Sequence, residues 1–454
     1  MRILQVIHQF PPYSSQGSEV YCQQLCHCLR DSGDQVGVFH ISNTRPRRPR
    51  RLDVSHQDGI QIFHCVDGAE YSRLAEWKNL FLQESLSQAI QSFNPDVVHF
   101  HNYLGLGDDL VSIAKLHRPL IVYTLHDYGL ICPNAILWRN RSELCSKDSP
   151  DFFADCCPTL IRTSSLAMPV TAGLPSLARW RQFAANQPGR RRRALLQTAV
   201  GMAEKIVGRP ETTAVEQKKE FFFTATRRIF SEVDLFLSPS RFLLERYVAC
   251  GIPRSKIMYL RNGMRPFPSR KIQRDPDARL KFGYIGAFHP HKGIELLLTA
   301  FRGLGDRATL HLHGSAFDSP ISEAHFQQNT NHPIEGVVLH GRYNNSEIGS
   351  ILAGLDVVIV PSLWYENSPL TIQEAQIAGV PVITAGVGGM AELVRDGIDG
   401  LHFQWNDAKD LRRVLLGLIE KPDQLNTLRA NAPSVPGIEK QASLVREAYV
   451  NLLS

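Results

Sequence analysis

The chain has 454 residues, of which 43% are hydrophobic and 21% are charged. This composition excludes a disordered or collagen-like protein and suits two or three folded domains. The net charge of +6 is too small to indicate nucleic-acid binding by itself. Nine cysteines and no signal peptide after Met1 favour a reducing cytosol. No run of about 18 apolar residues exists, so we expect a cytoplasmic protein, at most peripheral on the inner face of a membrane.

Short apolar runs alternate with helical patterns in the first half of the chain. Helices are predicted after the turn near residue 17 and over residues 80–93. Strands are predicted at 1–10, 34–42, 96–102, 120–127, 233–240 and 255–263. This alternation is typical of an α/β fold with a parallel sheet. The pattern stops over about 132–231, which we interpret as an insertion of loops and amphipathic helices.

The alternation starts again after a proline-rich, charged linker at 266–278. Helices are predicted at 293–303, 346–354 and 369–378, and strands at 281–288, 308–314, 337–341, 356–362 and 380–386. The chain therefore divides into an N-terminal domain over 1–265 and a C-terminal domain over 279–435. A last helix over 436–454 would pack back on the N-terminal domain. Doubly wound sheets bind ligands at the carboxyl ends of their strands, so two of them predict a site in the cleft between.

The most specific segment is residues 361–403. Ser368 as the N-cap and Pro369 in the first turn predict a helix start whose free N–H groups form an anion site. Glu366 and Glu374 bracket that helix start. The helix from Pro369 to Glu374 is about 7–8 Å long. A nucleotide diphosphate sugar fits this spacing, with hydroxyl groups at both ends and phosphates between. The alternative is a capped surface helix with two solvated glutamates.

This segment resembles the retaining glycosyltransferases of family 4, which have the GT-B fold. Their Glu-x7-Glu motif matches Glu366 and Glu374. Their Gly-Gly-x-x-Glu motif and the Asp-Gly turn after it match Gly388, Gly389, Glu392, Asp396 and Gly397. The resemblance covers nearly the whole chain outside about 135–230. It implies two Rossmann-like domains facing a central cleft, with the nucleotide sugar mainly on the C-terminal domain and the acceptor mainly on the N-terminal one.

The resemblance also implies roles for individual residues of the donor site. Glu366 would contact the donor sugar and Glu374 the ribose. The backbone around the phosphates would be that of Asn367, Ser368, Pro369 and Leu370.

A second motif, at 282–298, places Lys292 at the start of a helix, where it can reach phosphate oxygens as a point charge. The family usually has Arg directly after the first glycine of this motif, and this chain has Ala287. His289, His291 or Arg261 would be alternative donors to the diphosphate. The other interpretation of Lys292 is an exposed lysine at a helix start.

The first turn and the strand end at 124–133 contribute the N-terminal side of the site. Gly17 and Ser18 resemble the family's Gly-Gly turn, with Gln16 in place of one glycine, although an ordinary strand–helix turn is the alternative. His126 matches the family histidine that faces the donor sugar near its anomeric carbon, with Asp127 as an orienting partner. His99 and His101, on a neighbouring strand, are rim or packing residues, with acceptor contact as a further alternative.

Two features of the insertion leave alternatives open. A structural Zn²⁺ or free thiols would account for four cysteines, Cys132, Cys145, Cys156 and Cys157, whose spacing lacks a CxxC pair. The segment 179–228 carries twelve basic and four acidic residues. A solvated helix pair or peripheral contact with an anionic membrane would account for it, whereas no nucleic-acid module is recognisable.

The sequence therefore predicts a metal-independent retaining glycosyltransferase with His126, Glu366 and Lys292 as catalytic residues. Its partners would be a nucleotide-sugar donor and a glycan or lipid-linked acceptor, with no cofactor and no nucleic acid. The Asp-Pro-Asp run at 275–277 is interpreted as linker rather than as a metal site. A nucleotide-sugar epimerase of the same fold and a non-catalytic nucleotide-sugar-binding protein are the alternatives.

Overall fold

The computed structural model describes ten segments of the chain, residues 1–14, 17–42, 50–66, 79–101, 109–133, 135–139, 143–145, 212–268, 278–314 and 334–454. These segments form two α/β units, each built on one sheet of mainly parallel strands. The predicted fold class, with two doubly wound halves, is confirmed.

The sheet of the N-terminal unit has eight strands in the order β10-β9-β6-β5-β1-β2-β4-β3. Neighbouring strands pair in parallel except β3 and β4, which are antiparallel. The eight strands are β1 Arg2–Ile7, β2 Gln35–Ser42, β3 Arg51–Gln57, β4 Ile60–Val66, β5 Val97–Phe100, β6 Leu120–Thr124, β9 Leu235–Ser238 and β10 Ile257–Tyr259. A separate two-stranded ribbon is formed by β7 Trp138–Arg139 and β8 Glu143–Leu144.

Five described helices accompany this sheet. They are α1 Gly17–Asp31, α2 Leu80–Phe93, α3 Leu110–Leu116, α4 Thr212–Glu232 and α5 Arg241–Ala249. In α1, Tyr21, Leu25 and Leu29 recur every four residues and are all buried. This spacing gives the helix one apolar face, which packs on the sheet.

The sheet of the C-terminal unit has six parallel strands in the order β13-β12-β11-β14-β15-β16. They are β11 Leu280–Ile285, β12 Ala308–His313, β13 Val337–Gly341, β14 Val357–Val360, β15 Val382–Ala385 and β16 Gly400–Phe403. The accompanying helices are α6 Ile294–Phe301, α7 Ile348–Ala353, α8 Leu370–Ala378, α9 Gly388–Leu393, α10 Ala408–Glu420 and α11 Gln424–Ala430. Every residue of β14 and β15 is buried, as expected for a parallel sheet covered on both faces.

The last helix, α12 Ile438–Leu453, leaves the C-terminal unit and packs against α1 of the N-terminal unit. Ile438, Ala442, Val445 and Tyr449 lie on one face and are buried in the same core cluster as β1 and α1. The end of the chain is therefore part of the core of the first unit.

Most of the predicted insertion lies outside the described residues. Cys156, Cys157 and residues 179–211 of the basic segment are among those not described, while Cys132 and Cys145 are buried. The described residues contain no group of three His, Cys, Asp or Glu side chains suited to a metal ion. Within the same residues, no helix is both long and apolar enough to cross a bilayer.

Candidate functional site

Two helix N-termini face each other across the cleft between the units. A Cβ added to Gly17, the first residue of α1, would lie 3.5 Å from Cδ1 of Leu370, the first residue of α8. The N-cap of α8 is Pro369, and no side chain caps it. Its first N–H groups are therefore left without a side-chain acceptor, and both helix dipoles favour negative charge at this point.

The sequence predicted Ser368 as the N-cap of that helix, and this prediction is wrong by one residue. Pro369 is in the extended conformation and occupies the cap position itself. The hydroxyl of Ser368 instead accepts a hydrogen bond of 3.3 Å from the side-chain amide Nε2 of Gln373, a residue inside the helix. The Ser368 hydroxyl therefore does not cap the first N–H groups of α8 and does not compete there with a bound anion.

Lys292 and Glu366 form an ion pair beside this helix start. Nζ of Lys292 lies 2.7 Å from Oε1 of Glu366, and the hydroxyl of Ser362 donates to the same oxygen at 2.8 Å. Lys292 also lies 5.2 Å from the centre of the Trp364 ring. The lysine predicted to contact phosphate is therefore held next to the glutamate predicted to contact the donor sugar.

Glu366 remains ionised although its side chain is only 7% exposed. Burial raises the pKa of Glu366, but the charge and hydrogen bond of Lys292, the hydrogen bond from Ser362 and the charge of His291 together lower it overall. Both hydrogen bonds use Oε1, which leaves Oε2 for a further donor. A carboxylate in this state can accept hydrogen bonds from sugar hydroxyl groups.

The segment after Glu366 is packed tightly against α9. The N–H of Gly389 donates to the carbonyl of Glu366 at 2.8 Å, and a Cβ on Gly389 would lie 1.6 Å from the carbonyl oxygen of Asn367. Only glycine fits at this contact. The side-chain amide of Asn367 is buried and neither of its polar atoms has a partner in the described chain, an unusual condition for a buried polar group.

Glu374 lies one turn into α8 and is not paired with a cation in the described residues. Burial raises its pKa to about 7. Burial of the phenol and, to a smaller extent, the charge of Glu374 raise the pKa of Tyr343 to about 12. Glu374 is therefore poised between its neutral and ionised forms near neutral pH.

His126 follows β6 at the carboxyl edge of the N-terminal sheet. Its ring meets the Tyr21 ring edge-on at 5.4 Å, and its Nε2 lies 3.2 Å from Nδ1 of His101. Burial lowers the pKa of His126 to about 4, so the ring is neutral at pH 7. Asp127, the predicted orienting partner, instead accepts a hydrogen bond of 2.6 Å from the N–H of Gly129.

A buried carboxylate in the first turn of α1 was missed by the sequence analysis. Glu19 has no exposed surface, and it accepts hydrogen bonds from Ser14 and Ser18 at 3.0 and 2.9 Å. Nε2 of His8 lies 3.2 Å away. Burial raises the pKa of Glu19, but the hydrogen bond and charge of His8, together with hydrogen bonds from a backbone N–H and from Ser18, lower it overall. The only sequence signal was an acidic residue directly after Gly17-Ser18.

Three residues are candidate replacements for the arginine missing at Ala287. His291 has its pKa lowered to about 4 by burial and by Lys292, so it carries no charge at pH 7. His289 stacks on His291 at 5.3 Å. Arg261 donates to the side-chain oxygens of Gln373 and Gln376 on α8, at 3.2 and 2.9 Å. Of the three, Arg261 brings a permanent positive charge to α8.

The arrangement of two sheets and the cleft is that of GT-B glycosyltransferases. Sucrose-phosphate synthase from Thermosynechococcus elongatus superposes with a TM-score of 0.62 and 17% identity, covering 100% of this chain and 99% of that one. Anabaena HepE, solved with UDP and glucose, gives 0.62 and 15%, covering 99% of both chains. The predicted GT-B architecture is confirmed.

Family models match both units of the chain. The family described as "Glycosyl transferases group 1" matches residues 268–435, and "Glycosyltransferase Family 4" matches residues 15–146. Together they span both sides of the cleft. The chain belongs to the family 4-like glycosyltransferases.

The curated relatives are similar to this chain at low identity, and several of them are named glycosyltransferases. A 42.6 kDa protein of the Klebsiella pneumoniae cps region is 22% identical over 87% of this chain and 88% of the relative. The Escherichia coli "UDP-Gal:alpha-D-GlcNAc-diphosphoundecaprenol alpha-1,3-galactosyltransferase" is 31% identical over 24% of this chain and 28% of the relative. Apart from the 42.6 kDa protein, this chain spans about half, or less, of the length of the relatives compared.

Proposed function

We propose that this glycosyltransferase is a retaining enzyme that transfers a sugar from a nucleotide diphosphate sugar to a hydroxyl of a glycan or lipid-linked acceptor, without a metal ion. The observation that carries the proposal is the pair of helix N-termini at Gly17 and Leu370, which face each other beside Lys292 and Glu366. Two positive dipole ends and an ammonium group suit a diphosphate.

The proposed reaction is a displacement on one face of the donor sugar. The bond between the anomeric carbon and the diphosphate oxygen breaks, and the acceptor oxygen forms its bond on the same face. The acceptor proton passes to the departing phosphate oxygen. Helix N-termini and Lys292 stabilise the developing negative charge, which is the main source of catalysis expected for such a site. Glu366, Asn367 and His126 would line the sugar.

The donor is identified first by thermal shift of the purified chain with UDP, GDP, ADP and their sugars, with and without EDTA. A ligand that binds the native state raises the melting temperature by mass action. We expect stabilisation by the nucleotides of one base, unchanged by EDTA. No stabilisation by any nucleotide would contradict the proposal, and stabilisation abolished by EDTA would contradict its metal independence.

Stereochemistry is tested with the donor found in that screen. Proton NMR follows the anomeric configuration of the first product formed from an α-linked donor, with simple glycosides or water as acceptor. We expect an α-configured product. A β-configured first product would show inversion and overturn the retaining mechanism.

The lipid-linked class of acceptor is supported by the name of the E. coli relative, whose acceptor is a diphosphoundecaprenol-linked sugar. The basic segment 179–228 would bring the enzyme to the anionic surface where such acceptors lie. Sedimentation with phosphatidylglycerol vesicles, compared with phosphatidylcholine vesicles, tests this contact. Equal binding to both would count against it.

The alanine at position 287 keeps a non-catalytic donor-binding protein as a second candidate, because one expected contact with the diphosphate is missing. An epimerase of the same fold is the third. Incubation with the nucleotide sugar and no acceptor distinguishes the three candidates. An epimerase converts the donor to another nucleotide sugar, a transferase slowly hydrolyses it, and a binding protein leaves it intact.

A further inference from the structure

A line of buried polar side chains connects the C-terminal helix with His126. The hydroxyl of Tyr449 lies 2.6 Å from Nδ1 of His99, whose ring is tilted by 32° against that of His101 with centres 4.2 Å apart. Nε2 of His101 lies 2.5 Å from Oε1 of Gln5, and its Nδ1 lies 3.2 Å from Nε2 of His126. Gln5, His99 and His101 have no exposed surface.

All three imidazoles are neutral at pH 7. Burial, followed by the charges of the neighbouring histidines, lowers the pKa of His99 to about 3 and that of His101 well below its ordinary value. A neutral imidazole has one N–H donor and one bare nitrogen acceptor. The partner of one ring nitrogen therefore decides what the other nitrogen can do.

The amide of Gln5 fixes the direction of these hydrogen bonds. Its Oε1 can only accept, so Nε2 of His101 carries the proton. Nδ1 of His101 is then bare, and Nε2 of His126 must donate to it. The amide nitrogen of Gln5 has no hydrogen-bond partner within the described residues. It lies on the side of Tyr449, where Gln5 opposes the rise that burial causes in the pKa of the phenol.

We infer that Gln5 and His101 are positioning residues that hold His126 as its Nε2–H tautomer, with Nδ1 bare. The inference rests on the proposed function for its catalytic meaning, because His126 would then present Nδ1 as an acceptor for a hydroxyl of the donor sugar. The ring stacking of His101 and His126, 5.5 Å apart and 26° from parallel, fixes the plane of the ring as well. Neither Gln5 nor His101 would touch the substrate.

The tautomer is read directly by two-bond ¹H–¹⁵N correlation spectra of the full chain labelled with [¹⁵N]histidine. His126→Gln identifies the His126 signals by their loss. In the wild type we expect a protonated Nε2 and a bare Nδ1. In Gln5→Met, which keeps the length of the side chain and removes its acceptor, we expect the His126 proton to shift at least partly to Nδ1.

Thr124→Val is the matched control. It removes the 2.7 Å hydrogen bond between Thr124 and Nε2 of His99, inside the same cluster but outside the path from Gln5 to His126. We expect it to leave the His126 tautomer unchanged. Thermal unfolding of each variant, and the unaltered signals of distant histidines, establish that the variants are folded.

Kinetics with the donor found by thermal shift give the catalytic readout. Gln5→Met should lower kcat by about 10- to 100-fold, within the range of proton-transfer and orientation effects, and change the donor KM by less than about twofold. A protonated Nδ1 in the wild type, or a wild-type tautomer in Gln5→Met, overturns the inference. If the tautomer shifts as expected but no nucleotide binds any form of the protein, the proposed function fails while the positioning of His126 stands.

Discussion

At the scale of single residues, the ion pair between Lys292 and Glu366 combines a structural and a functional role. Lys292→Met removes the cation and leaves the Glu366 carboxylate with the hydrogen bond from the Ser362 hydroxyl. We expect the free energy of unfolding to fall by about 1–3 kcal/mol, because a buried charge loses its partner. Urea denaturation at pH 7 measures it. The pKa of Glu366 is lowered in the native state, so the contribution of the pair should disappear as pH falls towards and below the ordinary value.

The double variant Lys292→Met, Glu366→Gln separates stability from binding. It contains no unpaired carboxylate, so we expect it to regain much of the lost stability. Its affinity for nucleotide diphosphates should stay low if Lys292 contacts phosphate. Wild-type affinity in the double variant would remove Lys292 from the donor site.

Glu374 gives the second prediction at this scale. Its pKa of about 7 means that the ionised form grows from a minor to a major species between pH 6 and pH 8. If the carboxylate binds the ribose, the dissociation constant for nucleotide should fall by about tenfold over this range, in proportion to the competent fraction. Stability should move the other way, because the native state holds its proton more tightly than the unfolded state, and this contribution is lost as pH rises through 7.

Glu374→Gln is the control for that experiment, since phosphate groups also titrate with a pKa near 6. The variant retains the phosphate titration and loses that of the carboxyl group. Calorimetric titration of both proteins at four or five pH values isolates the difference. Identical pH profiles for the two proteins would show that Glu374 does not contact the nucleotide in its ionised form.

At the scale of the elements, Glu392 on α9 caps a helix of the other unit. Its carboxylate accepts hydrogen bonds from the backbone N–H groups of Arg241, at 2.9 Å, and Phe242 at the start of α5. Such a cap satisfies orphan N–H groups and places negative charge at a positive dipole end. The family motif named this glutamate, but its partner is in the N-terminal unit and could not be read from the sequence.

Glu392→Ala should therefore expose the N-terminus of α5 and loosen the contact between α9 and α5. We expect a loss of about 1 kcal/mol, typical of a removed cap, and faster hydrogen exchange at the amides of Arg241 and Phe242. Glu245→Ala is the matched control. Glu245 lies on α5, the capped helix itself, but it pairs with Arg254 at the surface. Unchanged exchange at those two amides in Glu392→Ala would contradict the cap.

The elements also show how far the sequence could be interpreted. The buried strands and α8 were predicted because apolar runs and a proline at the helix start are local signals. The hairpin of β3 and β4 was missed, although Asp58 and Gly59 at its turn both have positive φ, as a two-residue hairpin turn requires. β3 is polar and mostly exposed at the edge of the sheet, so its pattern resembled a loop.

The candidate site was predictable to the extent that a local motif carries it. Glu366, Glu374 and Lys292 were proposed in this way, and the structure places Lys292 and Glu366 in direct contact. The contact of Gly17 with Leu370 and the network from Gln5 to His126 join residues far apart in the chain. The first contact depends on how the two units lie across the cleft, and the network depends on the register of β1, β5 and β6. No local sequence pattern encodes either.

At the scale of the whole molecule, the chain crosses between its two units at two adjacent points. The N–H of Met264 donates to the carbonyl of Pro436 at 2.9 Å, and the N–H of Ile438 donates to the carbonyl of Met264 at 3.2 Å. Outgoing and returning chains are thus tied together at one position. The last helix, α12, is held to the first unit by the hydrogen bonds of Gln441 with Gly263 and Tyr21.

The last helix, α12, connects the C-terminal unit to the core of the N-terminal unit. We therefore predict that the two units unfold in one transition. Val445 has no exposed surface, so Val445→Asp would place an unpaired charge in that core and expel the helix. We expect calorimetry to show one transition for the wild type and two for the variant, the first lowered by several degrees. Leu444→Asp, at a neighbouring position that is 40% exposed, should keep the single transition.

A nucleotide should raise chiefly the melting temperature of the later transition, since its proposed contacts lie mostly on the second unit. One shared transition in Val445→Asp would mean that the cleft contacts, rather than the returning helix, couple the two units.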